Sequence, residues 1–97
     1  MHASIWRFTG DSDELLRKYD QLTASIGLEA FRFHACVRTD DGMVVFDTCP
    51  SLAAFENFRD NMLPGMLASV GLPDPVIENH PLHAAFAEGR DMVGVAW

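Results

Sequence analysis

Residues 30–48 carry the pattern that most constrains the fold, an alternation of apolar and polar side chains interrupted by a tight turn. From Ala30 to Arg38, apolar residues fall at every second position. Successive side chains of a strand point to opposite faces of a sheet, so this alternation predicts a half-buried strand. Asp41-Gly42 is typical of tight hairpin turns, and Met43–Thr48 predicts the returning strand. The sequence therefore predicts a β-hairpin.

Two segments flanking this hairpin have the apolar spacing of amphipathic helices. Before it, Asp11 is followed three residues later by a glutamate, which is similar to a capping box, and Gly27 suits a C-terminal cap. After it, Ser51 is a natural N-cap for a second helix. Pro64-Gly65 predicts a break in that helix, because proline cannot donate a backbone hydrogen bond and clashes with a continuing helix. A short helical piece is expected beyond the break.

The predicted elements follow the order β-α-β-β-α-β. His2–Phe8 is the first strand candidate and Val76–Phe86 is the last. This order is that of the split βαβ motif, so we predict an α+β, ferredoxin-like domain over residues 1–90 with a four-stranded antiparallel sheet. Helices would cover one face of the sheet. Two copies could then bury their bare faces against each other as a dimeric α/β barrel.

Residues 91–97 form an apolar C-terminal tail in which Asp91 is the only charged residue. Disordered termini seldom have this composition. Two interpretations stay open. The tail either folds onto its own domain or forms a strand that crosses to a partner subunit.

Composition narrows the range of partners and compartments. The chain has 97 residues, which suits one domain. Its hydrophobic fraction of 48% indicates a dense core, a ligand cavity or a homodimer interface. A formal net charge of −7 argues against nucleic acid as a partner. The absence of a polybasic run or a long apolar run argues against a membrane. Two isolated cysteines and no recognisable signal peptide predict a cytoplasmic protein.

Four short motifs, spread over roughly residues 3 to 86, point to a known family. They are Ile5-Trp6-Arg7, the strand end Val44–Thr48, the helix start Ser51–Phe55, and Ala68–Pro73 leading into Pro81-Leu82-His83. With these motifs the chain resembles the antibiotic biosynthesis monooxygenase-like family of the dimeric α/β-barrel superfamily. Members include cofactor-free oxygenases acting on polyketide quinols, cyclases, isomerases and haem-degrading enzymes. The resemblance therefore implies a fold and not one reaction. No histidine lies on the second predicted helix to bind haem.

The candidate catalytic residues are His83, His34 and Asp47. His34 lies in the middle of a predicted strand, and a histidine can act as a general base or acid near neutral pH. Asp47 lies within an otherwise apolar strand, where burial would raise its pKa and make it a possible base. The resemblance favours His83 over His80 as the histidine that faces a pocket. The alternative is that the histidines pack at a subunit interface and that Asp47 makes a structural hydrogen bond.

The candidate substrate-binding residues are Trp6, Asn57, Asn61, Phe33 and Met62. Trp6 offers a large apolar surface and one hydrogen-bond donor. In the oxygenases that the chain resembles, aromatic residues and an asparagine line the cavity. Asn57 and Asn61 are four residues apart and share one face of the second helix, close to the predicted break where a cavity could open. The alternative is that all of these are ordinary core or surface residues.

Two classes of function follow from these observations. The first is a cofactor-independent oxygenase or cyclase that removes a proton from a bulky hydrophobic, aromatic or polyketide-like molecule in an apolar pocket. The second is a non-catalytic dimeric module that holds a small ligand or assembles with a partner. No cofactor or metal is expected, because the cysteine spacing matches no zinc site and no phosphate loop or dinucleotide motif is present. A pocket that contains a histidine beside Trp6 would favour the enzyme.

Overall fold

The computed structural model describes residues 1–26, 33–87 and 90–91, and it has a four-stranded antiparallel sheet with helices. In chain order the elements are β1 (His2–Thr9), α1 (Ser12–Ile26), β2 (His34–Thr39), β3 (Gly42–Cys49), α2 (Leu52–Asn61), α3 (Leu63–Val70), β4 (Val76–Pro81), β5 (Phe86–Ala87) and β6 (Arg90–Asp91). The sheet has the strand order β2-β3-β1-β4, and every neighbouring pair is antiparallel. This α+β architecture is compatible with the ferredoxin-like fold.

The helix starts follow the local signals in the sequence. At α1, the backbone N–H of Glu14 donates to Asp11 Oδ2 over 3.0 Å. At α2, the backbone N–H of Ala54 donates to Ser51 Oγ over 3.1 Å. Each bond satisfies a backbone donor that the first turn of a helix leaves without a partner. Both predicted N-caps are confirmed.

The predicted break in the second helix is also confirmed. Helix α2 ends at Asn61 and α3 begins at Leu63, with Pro64 in its first turn, where a missing N–H costs nothing. Gly71 ends α3 with φ 75°, a left-handed conformation that glycine adopts without steric cost.

The predicted hairpin is confirmed over its described part, since β2 and β3 pair antiparallel with Thr39 opposite Gly42. Gly42 also pairs with Thr9 of β1, and a Cβ at Gly42 would lie 1.9 Å from the carbonyl oxygen of Phe8. Only glycine allows this close approach of two backbones. The predicted start of the hairpin at Ala30 and the predicted cap at Gly27 lie outside the described residues.

The last strand is shorter than the sequence predicts. A strand over Val76–Phe86 is wrong, because β4 ends at Pro81. Pro81 pairs with His2, the first residue of β1, so the neighbouring strand ends there, and proline has no N–H to continue the ladder. The chain then forms a small separate hairpin in which β5 pairs with β6. Most of the tail, residues 92–97, lies outside the described residues.

The core lies between the helices and one face of the sheet. Its buried residues are Trp6, Phe8, Leu15, Met43, Val45, Phe55, Leu63, Leu67 and Leu72. On the sheet these residues alternate with side chains of the opposite face, which no helix among the described residues covers; we call that face the bare face. Ile5 and Phe46 on this face share a groove with Leu82 and residues 84–86, which follow β4. No helix among the described residues is long and apolar enough to cross a membrane.

Candidate functional site

Two adjoining cavities lie between the sheet and the helices. The smaller one measures about 70 Å³ and the larger about 490 Å³. They share the lining residues Trp6, Ile26, Asp47, Phe58 and Met66, so we treat them together as the sheet–helix cavity. The larger volume falls within the range of about 300–1,000 Å³ that small-molecule sites occupy. Side chains of α1, and of α2 and α3 on both sides of the helix break, form its helical wall.

A row of polar side chains crosses the helix-facing side of the sheet beside this cavity. The register places His34 opposite Asp47, Asp47 opposite Ser4, and Ser4 opposite Asn79. Each of the four strands β2, β3, β1 and β4 therefore contributes one member. We call these four residues the polar row. Apart from this row, the lining of the cavity is mainly apolar.

At one end of the polar row, Tyr19 of α1 lies against His34, and His34 lies beside Asp47. We call these three residues the contact line. The Tyr19 hydroxyl lies 2.7 Å from His34 Nε2, and the two rings are stacked with their planes 8° apart. On the other side of the imidazole, Asp47 Oδ1 lies 3.8 Å from His34 Nδ1. The side chain of His34 is 15% exposed, so water screens these interactions less than it would at the surface.

The surroundings of Tyr19 and His34 determine how these two side chains can share a proton. Partial burial raises the pKa of Tyr19 to about 12, and the acidic groups of Cys36, Asp20 and Asp47 add to the rise. Tyr19 therefore stays a neutral phenol near pH 7. Asp47 Oδ1 lies beyond hydrogen-bond distance of Nδ1, so this carboxyl group acts on the imidazole through its charge and not through a hydrogen bond. The neutral phenol can donate its proton to Nε2 when that nitrogen carries none.

The other end of the polar row is tied to the first residues of the chain. Asn79 Nδ2 donates to Ser4 Oγ over 2.9 Å, and His2 Nδ1 donates to Asn79 Oδ1 over 2.8 Å. Ser4 is only 3% exposed, and it lines the larger cavity. A buried hydroxyl needs such partners, because burial without a hydrogen bond is costly. The two bonds hold the serine in place on the cavity wall.

The two thiols are poor candidates for nucleophiles. Burial raises the pKa of both Cys36 and Cys49, which favours the unreactive thiol over the thiolate. Within the described part of the chain, no three histidine, cysteine or acidic side chains are placed to share a metal ion.

The structure brings together four of the residues that the sequence singled out. His34, Asp47 and Trp6 line the smaller cavity, and Met62 lines the larger one. Trp6 is packed edge-on against Phe55 and Phe58 of α2.

The other predicted residues lie elsewhere. Asn61 donates to Asn57 over 2.7 Å on the exposed side of α2, and neither residue lines the sheet–helix cavity. Phe33 lines a groove at the bare face. His83 is exposed, follows the end of β4 and lines neither part of the sheet–helix cavity.

Sequence reasoning missed Tyr19, Ser4 and Asn79. Tyr19 falls in the apolar stripe of α1, where its spacing indicates a core residue. A signal was present, since it is the only tyrosine in the chain and carries a hydroxyl into that stripe. Ser4 and Asn79 belong to strands far apart in sequence, and only the register of the sheet makes them neighbours.

The ionisation of Tyr19 can be measured directly, because no other tyrosine contributes to phenolate absorbance. We expect a midpoint of about 12 in the folded protein, against about 10 in concentrated urea. Between these values the unfolded chain releases a proton that the folded chain keeps, so stability falls as pH rises through this window. Ultraviolet titration with and without urea tests this. A folded-state midpoint near that in urea would contradict the burial of the phenol.

Comparisons of the chain with protein-family models, with curated proteins and with solved structures found no match. The family resemblance described above stays a prediction from sequence motifs.

Proposed function

We propose that this chain binds an apolar small molecule in the sheet–helix cavity and moves a proton on it, with His34 as the base. The observation that carries the proposal is the contact line of Tyr19, His34 and Asp47 at the wall of that cavity. A histidine with a hydroxyl at hydrogen-bond distance from one ring nitrogen and an acidic side chain 3.8 Å from the other can serve as a general base. A core that only needed filling would place apolar side chains there.

The proton has a defined route in this arrangement. A C–H or O–H bond of the ligand breaks, and its proton passes to the Tyr19 oxygen while the Tyr19 proton passes to His34 Nε2. The electron pair of the broken bond stays on the ligand as an enolate or phenolate. The imidazolium that forms lies beside Asp47, whose negative charge stabilises it. Reversal of the route returns the proton to the same ligand atom or to another one.

This first step is common to the reactions that the family resemblance implies. A cyclisation or isomerisation returns the proton to the same molecule and needs no co-reactant. A monooxygenation would add dioxygen to the anion and form a peroxide on that carbon. Loss of a second hydrogen from the same carbon and cleavage of the O–O bond would then leave a carbonyl on the product and release water, so the substrate supplies all the electrons. The hydrophobic, aromatic or polyketide-like substrate class suits the mainly apolar lining of the cavity.

An exchange experiment tests the proposed function without knowledge of the natural substrate. The probe is 1-indanone, a small aromatic ketone with acidic hydrogens next to its carbonyl. In D₂O near neutral pH, we expect the protein to replace these hydrogens with deuterium faster than imidazole does at the same concentration. Proton NMR of the probe gives the rate. A rate no higher than that of imidazole would contradict a catalytic base and favour the alternative, a non-catalytic binding module.

We also propose that two copies of the chain pair through the bare face as a homodimer. The middle of this face is apolar, with Ile5 opposite Phe46 and Ala35 on the other side of Phe46. Val37 and Val76 on the same face are 46% and 68% exposed. Contiguous apolar surfaces on small soluble domains commonly mark contacts with other molecules.

Charged side chains border this apolar surface along β4 and the end of β1. Arg7 Nε lies 3.8 Å from Glu78 Oε1, and His80 Nε2 lies 3.7 Å from Glu78 Oε2. An apolar centre with a polar edge is the usual composition of a protein interface. Because the bare face belongs to the same sheet as the sheet–helix cavity, pairing would support the wall that carries the polar row.

A further inference from the structure

We infer that the ligand of the sheet–helix cavity carries a carbonyl oxygen, and that the Trp6 indole N–H and the Ser4 hydroxyl are its two hydrogen-bond donors. This inference rests on the proposed function and adds the chemical class of the ligand to it. It makes the site one for apolar carbonyl compounds, with recognition at β1 and proton transfer at His34.

The first observation is a buried donor. Trp6 is 5% exposed, and its Nε1 atom has no hydrogen-bond partner among the described residues. A buried tryptophan N–H usually finds a partner, because leaving it without one forfeits the hydrogen bond it would make in water. Trp6 lines both parts of the sheet–helix cavity. The indole nitrogen can only donate, so a ligand that satisfies it must present an acceptor.

The second observation is the neighbouring hydroxyl. Ser4 lies two residues before Trp6 on β1, so both side chains project from the helix-facing side of the sheet, and both line the larger cavity. Asn79 already donates to Ser4 Oγ, which occupies one of its acceptor positions. The Ser4 hydroxyl also carries a proton of its own, which it can donate. Ser4 is therefore a second donor whose orientation is held from outside the cavity.

The Trp6 N–H and the Ser4 hydroxyl lie on the same wall of the cavity, so both can donate to a single oxygen atom of the ligand. Residues two apart on a strand are separated by about 7 Å, so donors on their side chains can converge on an atom above the strand. A carbonyl oxygen has two lone pairs and accepts both bonds. If its neighbouring carbon loses a proton, negative charge develops on that oxygen, and both hydrogen bonds strengthen. Ser4 lines the larger part of the cavity and His34 the smaller part, and Asp47 between them lines both, so a ligand that spans the two parts reaches both residues.

Binding of 1-indanone and of indane, the same ring system without the oxygen, separates this inference from the proposed function. The chain has two tryptophans and so two indole N–H resonances in a proton–nitrogen NMR spectrum, and Trp6→Phe identifies the Trp6 signal by its loss. We expect both probes to shift methyl resonances of Leu63 and Leu67. We expect indanone alone to move the Trp6 N–H resonance downfield, as a new hydrogen bond does.

The variants give a second readout. Trp6→Phe removes the donor and keeps an aromatic ring. It should therefore weaken the binding of indanone about tenfold and change the binding of indane by less than about twofold. Ser4→Ala leaves the packing of Trp6 intact. It should weaken the binding of indanone a few-fold and leave the binding of indane nearly unchanged.

Each outcome decides between the two proposals. If both probes shift the methyl resonances while the Trp6 N–H resonance responds equally to both, the carbonyl inference is overturned and the apolar ligand site stands. If neither probe shifts any resonance of the cavity at millimolar concentration, the ligand site and the inference fail together.

Discussion

Replacing His34 with glutamine is expected to lower the protein-catalysed exchange of 1-indanone by about 100-fold or more, the usual contribution of a general base. Glutamine can still accept a hydrogen bond from the Tyr19 hydroxyl, but its amide does not take up a proton. The loss should therefore appear in the rate of exchange, while indanone binding measured by NMR changes little. A rate is the correct readout because His34 is placed to act on the bound ligand and not to hold it.

His83→Gln is the matched comparison for this experiment. It makes the same chemical change at a histidine that is exposed and lines neither part of the sheet–helix cavity. We expect its exchange rate to equal that of the unchanged protein. If exchange falls in His83→Gln and survives in His34→Gln, the contact line of Tyr19, His34 and Asp47 is not the catalytic site.

If the chain pairs as proposed, replacing Phe46 with aspartate is expected to convert the proposed homodimer into a monomer. Phe46 lies in the middle of the bare face, between Ile5 of β1 and Ala35 of β2. A carboxylate at this position would lie opposite an apolar surface of the partner. Burial of an unpaired charge costs about 5 kcal/mol of binding free energy. Light scattering at micromolar concentration should show the molecular mass falling by half.

Two further variants make this test decisive. Val37→Asp places the same charge on the same face at a residue that is 46% exposed, so it removes pairing with less risk to the fold. Ala53→Asp is the control, because Ala53 is exposed in the first turn of α2, where a negative charge suits the helix dipole. Ala53→Asp should stay dimeric. A monomeric mass for the unchanged protein would contradict the proposed pairing outright.

Local signals in the sequence predicted most of the elements and their ends. Asp11 and Ser51 cap helices, Pro64 marks the break between α2 and α3, and Asp40-Asp41 forms the hairpin turn just before Gly42. Each signal acts through bonds between residues that are close in the chain, so its effect is largely independent of the rest of the fold. The end of β4 at Pro81 was missed because it depends on where β1 begins.

The candidate site was predictable only in part. His34 and Asp47 were identified as residue types able to move a proton, and the pairing of β2 with β3 brings them together. Ser4 and Asn79 are 75 residues apart, and their hydrogen bond exists because β1 and β4 pair in one particular register. A shift of one residue would turn every side chain of a strand to the opposite face.

The sequence by itself determined most of the strands and helices, and that His34 lies on the opposite face of its strand from Ala35 and Val37. Those properties follow from the conformational preferences and hydrogen bonds of neighbouring residues. Only the tertiary structure decided that Tyr19 of α1 meets His34, and that four strands contribute one polar residue each to the same row. Packing of helices on a sheet and the register between distant strands are set by the whole core, and these contacts turn separate residues into a site.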